Sequence, residues 1–405
     1  MKKIYLIPFF ILLILFLNSC SGSKESYKRT TAAGSLIRVL LDEEPGSYEF
    51  ISEAPFYLKN GDSYLALVNP GNKLVISNNN DEVEVVIGDK NFSGKYFQLT
   101  SRSNEDPVSY RGGAYRGTIN IVPDGSGIHI INELSLEEYL KGVIPKEMPS
   151  GRGNEYYEAL KAFTICARTY TITKLKENKK LFDVFADTRD QVYGGSGIEK
   201  EIINNVVDET RGLILTYDDK PAVTFYSSTC GGHTEDAANV FKNVDLPYLK
   251  GVKDGDEPYC SISPKFTWTE TFPEAKFIER LVSAGYLDNS GCKIQNININ
   301  STFRSGRINE LVIDLTDNHN NPKSVSLYGN NIRYVLKTSG NSILESNIFT
   351  VARKGDDIII NGRGYGHGVG LCQWGALEQS KEGRTHEEIL SFYYPGTKIE
   401  KYNDQ

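Results

Sequence analysis

The chain has 405 residues, with 45 Lys and Arg against 52 Asp and Glu, a formal net charge of −7, and 39% hydrophobic and 24% charged residues. That mixture excludes a disordered chain, a collagen and a repeated membrane bundle. The acidic balance argues against a nucleic-acid partner, since no basic surplus is present to neutralise phosphates, and the length suggests about two domains.

The N-terminus carries Lys2 and Lys3, then an apolar run over 4–17 broken only by Pro8. That run is too short to span a bilayer comfortably and matches a signal-peptide core. It ends in Leu17-Asn18-Ser19-Cys20, which resembles a bacterial lipobox. The expectation is a lipoprotein signal peptide over 1–19, diacylglycerol on Cys20 and a polar tether over 20–35. The rest of the protein is then exported and held to a membrane only through its lipid. Five further cysteines, Cys166, Cys230, Cys260, Cys292 and Cys372, lie in a compartment that permits disulfides. Five is odd, so they cannot all pair with one another.

Residues 36–115 read as a β-rich region. Apolar or alternating runs at 36–41, 64–68, 73–76 and 83–87 are separated by Gly-Asn, Gly-Asp and Asn-Asn-Asn-Asp turns. A hairpin is expected from 116–122 and 128–131. The period then changes. Ser135-Leu-Glu-Glu138 is a capping box, with Leu136, Tyr139, Leu140 and Val143 on one face and Pro145 as the stop. Further helices are expected over 155–177, over 198–211 before Gly212, over 273–284 before Gly285, and after Thr385. Strands return at 294–300, 311–315 and 358–361. This order predicts an α+β fold with mainly antiparallel sheets and a helical segment, rather than alternating βαβ units.

Three segments concentrate Gly, charge and aromatics. The first, 140–149, places Glu147 between Pro145 and Pro149 beside Met148. Desolvation there would raise its pKa, as an acid catalyst requires; from position alone, a solvated loop carboxylate is the better reading. The second, 225–235, sets Cys230 and His233 at the spacing of a metal-ligand pair. Cys260 is then a third ligand and Cys292 a fourth. A Cys230–Cys260 disulfide fits equally well, and a thiol hydrolase built on Cys230, His233 and Cys260 is a third reading. The last segment, 362–376, alternates glycines around His367 and fits neither a dinucleotide fingerprint nor a P-loop. Alternating Gly implies close backbone approach or positive φ at several positions.

These segments together resemble the stage II sporulation protein D family, whose relatives include amidase-enhancer proteins. The resemblance rests on 132–149, Ala159-Leu-Lys-Ala162 leading into Ala167-Arg-Thr-Tyr170, Asp190-Gln-Val-Tyr-Gly194, 227–235, 364–370 and Phe392-Tyr-Tyr-Pro-Gly-Thr397. It implies a catalytic domain over 116–402, with 265–350 as a subdomain. It also implies a peptidoglycan lytic transglycosylase acting on peptide-stripped glycan strands at the cell wall. The Glu of the Glu-Met-Pro motif, Glu147, becomes the catalytic acid. Expected groove residues are Arg168, Tyr170, Gln191, Tyr193, Ser227, His367 and Gln373, with Arg168 on the lactyl carboxylate and Tyr193 or Trp374 stacking on sugar. Cys166 and Cys372 depart from the family pattern and read as small buried apolar residues. The chemistry needs no cofactor; the zinc of the second segment would be structural. The alternative is a non-catalytic wall-binding activator of an amidase.

Overall fold

The computed structural model describes residues 35–402 apart from 45, 80–81, 103–105, 125–126 and 178–180. The expected signal peptide, Cys20 and all but the last residue of the tether lie outside the described residues. Among the described residues no helix is long and apolar enough to cross a membrane.

The fold is α+β and rich in antiparallel sheet, built around three cores. Alternating burial along the early strands, as in Glu82–Ile87 and Ser47–Ile51, gives each strand one apolar face. Two sheets close on those faces. One has seven strands, in the order Val184–Phe185, Leu36–Glu44, Gly127–Ser135, Thr118–Asp124, Phe97–Ser101, Phe56–Asn60 and Ser63–Val68. The other has Ser47–Ile51, Lys73–Asn79, Glu82–Ile87 and Lys90–Gly94. Phe56, Phe97, Ile119 and Ile130 from the first meet Phe50, Leu74 and Val85 from the second. The expected boundary at 115 therefore does not hold. Thr118–Asp124 pairs with Phe97–Ser101 across it, a long-range pairing that local patterning cannot register.

The opposite face of the large sheet, at Ile37, Val39 and Leu134, packs on helices. These are α1 (Leu136–Glu147), α2 (Tyr157–Lys176) and α3 (Glu201–Glu209). The third core is made of Thr267–Pro273, α4 (Glu274–Ser283), a sheet of Lys293–Thr302, Ile308–Thr316 and Pro322–Tyr328, and α5 (Asn331–Leu336). It runs to Ile360, past the expected limit of 350, because Asp357–Arg363 pairs with both Thr267–Pro273 and Phe349–Lys354. The chain then returns to the helical core through α6 (Gln373–Lys381) and α7 (His386–Tyr393).

Pro145 does not stop α1, which continues to Glu147. Pro145 can donate no backbone bond to the Lys141 carbonyl, yet the helix runs two residues past it. The stop is Pro149, whose ring disfavours helical geometry at Met148; Met148 is extended, at φ −123° and ψ 133°. Ser135 caps the N-terminus by accepting from the Glu138 amide at 3.3 Å.

Helix α6 was not anticipated, since Gly375 in its interior weakens the helical signal. A Cβ there would stand 2.1 Å from the Tyr393 hydroxyl and 2.7 Å from Asp254 Oδ1. Gly375→Ala is expected to lower stability by about 1–3 kcal/mol through overpacking, despite alanine's better helix propensity. Denaturant titration checks the sign; a stabilised variant would show that the site can relax.

Candidate active site

Glu147 is the last residue of α1 and is partly buried. Two other segments converge on its carboxylate. The first is the 190–194 segment, tied to α1 by the Gly194 amide donating to the Gly142 carbonyl at 3.0 Å. This turns the Val192 amide toward Glu147, where it donates to Oε1 at 2.9 Å. The second is the start of α6. Leu371–Cys372 pairs in parallel with Tyr226–Ser227, and the Trp374 amide donates to the Ser228 carbonyl at 3.0 Å. Gln373 is thereby held with its Nε2 donating to Glu147 Oε2 at 3.4 Å.

Burial pushes the Glu147 carboxyl above the usual carboxylate range, and the Val192 and Gln373 donors partly offset it. No neighbouring carboxylate contributes to the rise. Three tyrosines, Tyr139, Tyr170 and Tyr226, stand close enough for the Glu147 charge to help hold their phenols protonated, with burial the larger cause. The arrangement presents one acid, oriented by two donors, in a partly desolvated aromatic setting.

The expected groove residues divide. Gln373 contacts Glu147 directly. Tyr170 is partly exposed and donates to Asp190 Oδ1 at 2.7 Å. Trp374 is also partly exposed. The others are structural. Gln191 is fully buried, its Oε1 accepting from Tyr139 at 3.2 Å and Thr171 at 2.8 Å. Tyr193 is buried against Tyr139 and donates to Asn132 Oδ1 at 2.9 Å, so it presents no face to a sugar. Ser227 accepts from the Gly368 amide at 3.2 Å and pins the glycine loop.

His367 is no titrating group at neutral pH. Burial first, then the Arg333 and Arg307 charges, push it down to about 3, and its Nδ1 accepts from the Val369 amide at 3.0 Å. The loop around it bears out the reading of its glycines: Gly364, Gly366, Gly368 and Gly370 all have positive φ.

Arg168 is a clear correction. It has no exposed surface and forks onto Glu137, with Nε to Oε1 at 3.0 Å and Nη2 to Oε2 at 2.8 Å. Glu137 lies ten residues before Glu147 on the same helix, about 15 Å along its axis at ~1.5 Å per residue. A guanidinium enclosed there cannot meet a substrate carboxylate beside Glu147.

The proposed metal-ligand set also changes. His233 turns its Nδ1 to the Thr234 carbonyl, 2.6 Å away. Cys230 and Cys260 are both buried and free, with Sγ atoms 3.6 Å apart. Their neighbours are Cys372 and Asp254, not His233 or Cys292. Cys166 and Cys372 are both fully buried in the helical core, as expected of small apolar residues, and Cys372 also lies beside the Cys230–Cys260 pair. Asp254, Tyr226 and the Val192 amide were missed. A backbone donor has no sequence signature, and nothing near Asp254 in the chain marks it.

A family model described as stage II sporulation protein matches residues 124–217, which hold α1, α2, α3 and Glu147. A second, described as a domain of unknown function, matches 260–370, most of which is the third core. An uncharacterized protein of Brachyspira hyodysenteriae is 32% identical over 375 residues, 91% of this chain and 94% of the relative. Stage II sporulation protein D of Bacillus subtilis is 31% identical over 289 residues, 66% of this chain and 75% of the relative. The amidase enhancer of Bacillus subtilis is 30% identical over 383 residues, covering 86% of this chain but 51% of the relative. With the matched region centred on the helices that position Glu147, the chain belongs to the stage II sporulation protein D family.

Proposed function

We propose that the protein is a peptidoglycan lytic transglycosylase. It would cleave the bond between N-acetylmuramic acid and N-acetylglucosamine in glycan strands stripped of stem peptides. The observation that carries this reading is Glu147, a single carboxyl raised by burial and oriented by the Val192 and Gln373 donors. Water-using glycosidases need a second carboxylate. Two carboxylates that lie in the motif segments, Asp190 and Glu235, are held by other donors. Asp190 accepts from Tyr170 and, at 2.9 Å, from the Phe185 amide. Glu235 accepts from the Asp236 amide, Asn239 and Ser305.

One carboxyl suffices if the substrate supplies its own nucleophile. Glu147, protonated, gives its proton to the glycosidic oxygen as the bond breaks. The Val192 and Gln373 donors then stabilise the carboxylate left behind. That carboxylate takes the proton of the muramoyl C6 hydroxyl as its oxygen closes on C1. The product is a 1,6-anhydro end, with Glu147 reprotonated and no water consumed. The hydroxyl is already held within the substrate, so its proximity is built in.

Mass spectrometry of products from peptide-free strands tests this. Anhydro-muramoyl ends support it; reducing ends would replace it with a hydrolase. The amidase-enhancer relative favours one second reading, a wall-binding activator of an amidase. Strand binding and amidase stimulation without cleavage would establish that instead. Location belongs to the same proposal: the protein works outside the cytoplasm at the cell wall, anchored by lipid on Cys20. Loss of fatty-acid labelling in Cys20→Ser tests the anchor.

Gln373→Leu removes a donor that lowers the Glu147 pKa. The alkaline limb of the pH–rate profile is therefore expected to move to higher pH. An unmoved limb would show that the 3.4 Å contact carries no weight in catalysis.

A further inference from the structure

We propose that Cys230, Cys260, Cys372 and Asp254 form a closed binding site for a thiophilic divalent cation, zinc foremost. The three sulfurs and a carboxylate oxygen all lie within 4.8 Å of one another, and none of the four residues has exposed surface. Sulfurs on a tetrahedral zinc stand about 3.8 Å apart, given Zn–S bonds of ~2.3 Å. The Cys230 and Cys260 sulfurs are 3.6 Å apart.

The surroundings suit such a site. Tyr393 donates to Asp254 Oδ1 at 2.7 Å, and the Cys260 amide donates to Oδ2 at 2.9 Å, which orients the carboxylate. The Cys230 amide points at Cys372 Sγ, 3.2 Å away, a donor that would serve a thiolate; as a thiol the same sulfur reaches the Ser228 carbonyl at 3.7 Å. All four groups are packed together with no exposed surface, so as anions they are costly to hold there without a cation. Arg307 is buried alongside, donating to the Cys230 carbonyl at 2.8 Å and the His233 carbonyl at 2.9 Å, with Nε unpartnered. Three thiolates and a carboxylate bring four negative charges; a divalent ion and Arg307 cancel three.

A Cys230–Cys260 disulfide would use two of these groups and leave Cys372 and Asp254 unexplained. The metal uses all four. Four protein ligands leave no open position, so the ion is structural. It also has a place to act: Cys372 is the cap residue of α6 and precedes Gln373, which touches Glu147. The ion would join the 228–235 loop, the 254–260 turn and the start of that helix.

The test uses the full chain, purified in detergent without chelator. Elemental analysis is expected to find about one zinc per chain. Cobalt added to the metal-free protein should give thiolate-to-cobalt charge transfer and the visible bands of a tetrahedral ion. Cys372→Ser and Cys260→Ser should lose the metal, and His233→Ala should keep it. If those cysteine variants do not fold, a mercurial titration of the wild type should release zinc in step with thiol modification. Two results would overturn the proposal. One is failure of the reduced protein to bind added zinc or cobalt. The other is a Cys230–Cys260 bridge, found by peptide mapping without reductant, with Cys372 free. Metal content is read without activity, so neither result bears on Glu147.

Discussion

Glu147→Gln is expected to lower anhydro-end formation by about 10²- to 10⁴-fold, the range carried by a positioned general acid or base, with no loss of stability. The amide keeps an oxygen for the Val192 donor and removes a group that is costly to ionise where it sits. The sign of the pH dependence follows from the raised pKa. The folded protein binds this proton more tightly than the unfolded chain does. The stability linked to Glu147 is therefore complete below the unfolded value and is lost as pH rises through the folded one. The wild-type rate should fall over the same window, since the first step needs the protonated acid. The glutamine variant has no such loss, so its melting temperature should gain on the wild type as pH rises. Parallel melting profiles would mean that Glu147 is not desolvated in solution. Undiminished cleavage by the variant would remove it from the mechanism.

The element order was legible because it rests on local signals: the Ser135 and Thr385 caps, the glycines at 212 and 285, the alternation along the early strands. Glu147 was legible only through its motif; as a charged residue between prolines it reads as a surface loop. What was missed is non-local. Arg168 looked like a substrate ligand because a lone Arg in a helix near a motif carries no mark of its partner. That partner, Glu137, lies on another helix. Gln191 and Tyr193 are polar residues in a motif, but their hydrogen bonds turn inward. The metal-ligand spacing of Cys230 and His233 misled for the same reason: spacing along a chain gives reach, while the Gly231-Gly232 turn decides direction. The cysteine that joins the pair comes from 142 residues downstream.

Arg168→Ala is expected to cost about 3–5 kcal/mol, the usual penalty for breaking a buried ion pair by removing one partner. The guanidinium also donates to the Leu213 carbonyl at 3.1 Å, the Val207 carbonyl at 3.3 Å and Thr210 Oγ1 at 3.4 Å. It therefore holds α2 to the start of α1, the end of α3 and the strand that follows; its loss takes this donor from those carbonyls and leaves Glu137 the Gly212 amide at 3.2 Å but no cation. A loss of that size is a large fraction of a domain's ordinary stability, so the variant should unfold at much lower denaturant. The paired replacement Glu137→Gln with Arg168→Met should recover part of the loss, because it removes the charge left unpaired. The two roles for Arg168 predict opposite results. As a clamp between helices, it sets stability and leaves strand preference alone in any variant that still folds. As a ligand for the lactyl carboxylate, its removal would leave a stable protein that no longer prefers peptide-stripped strands. Denaturation midpoints beside cleavage of stripped and intact strands separate the two.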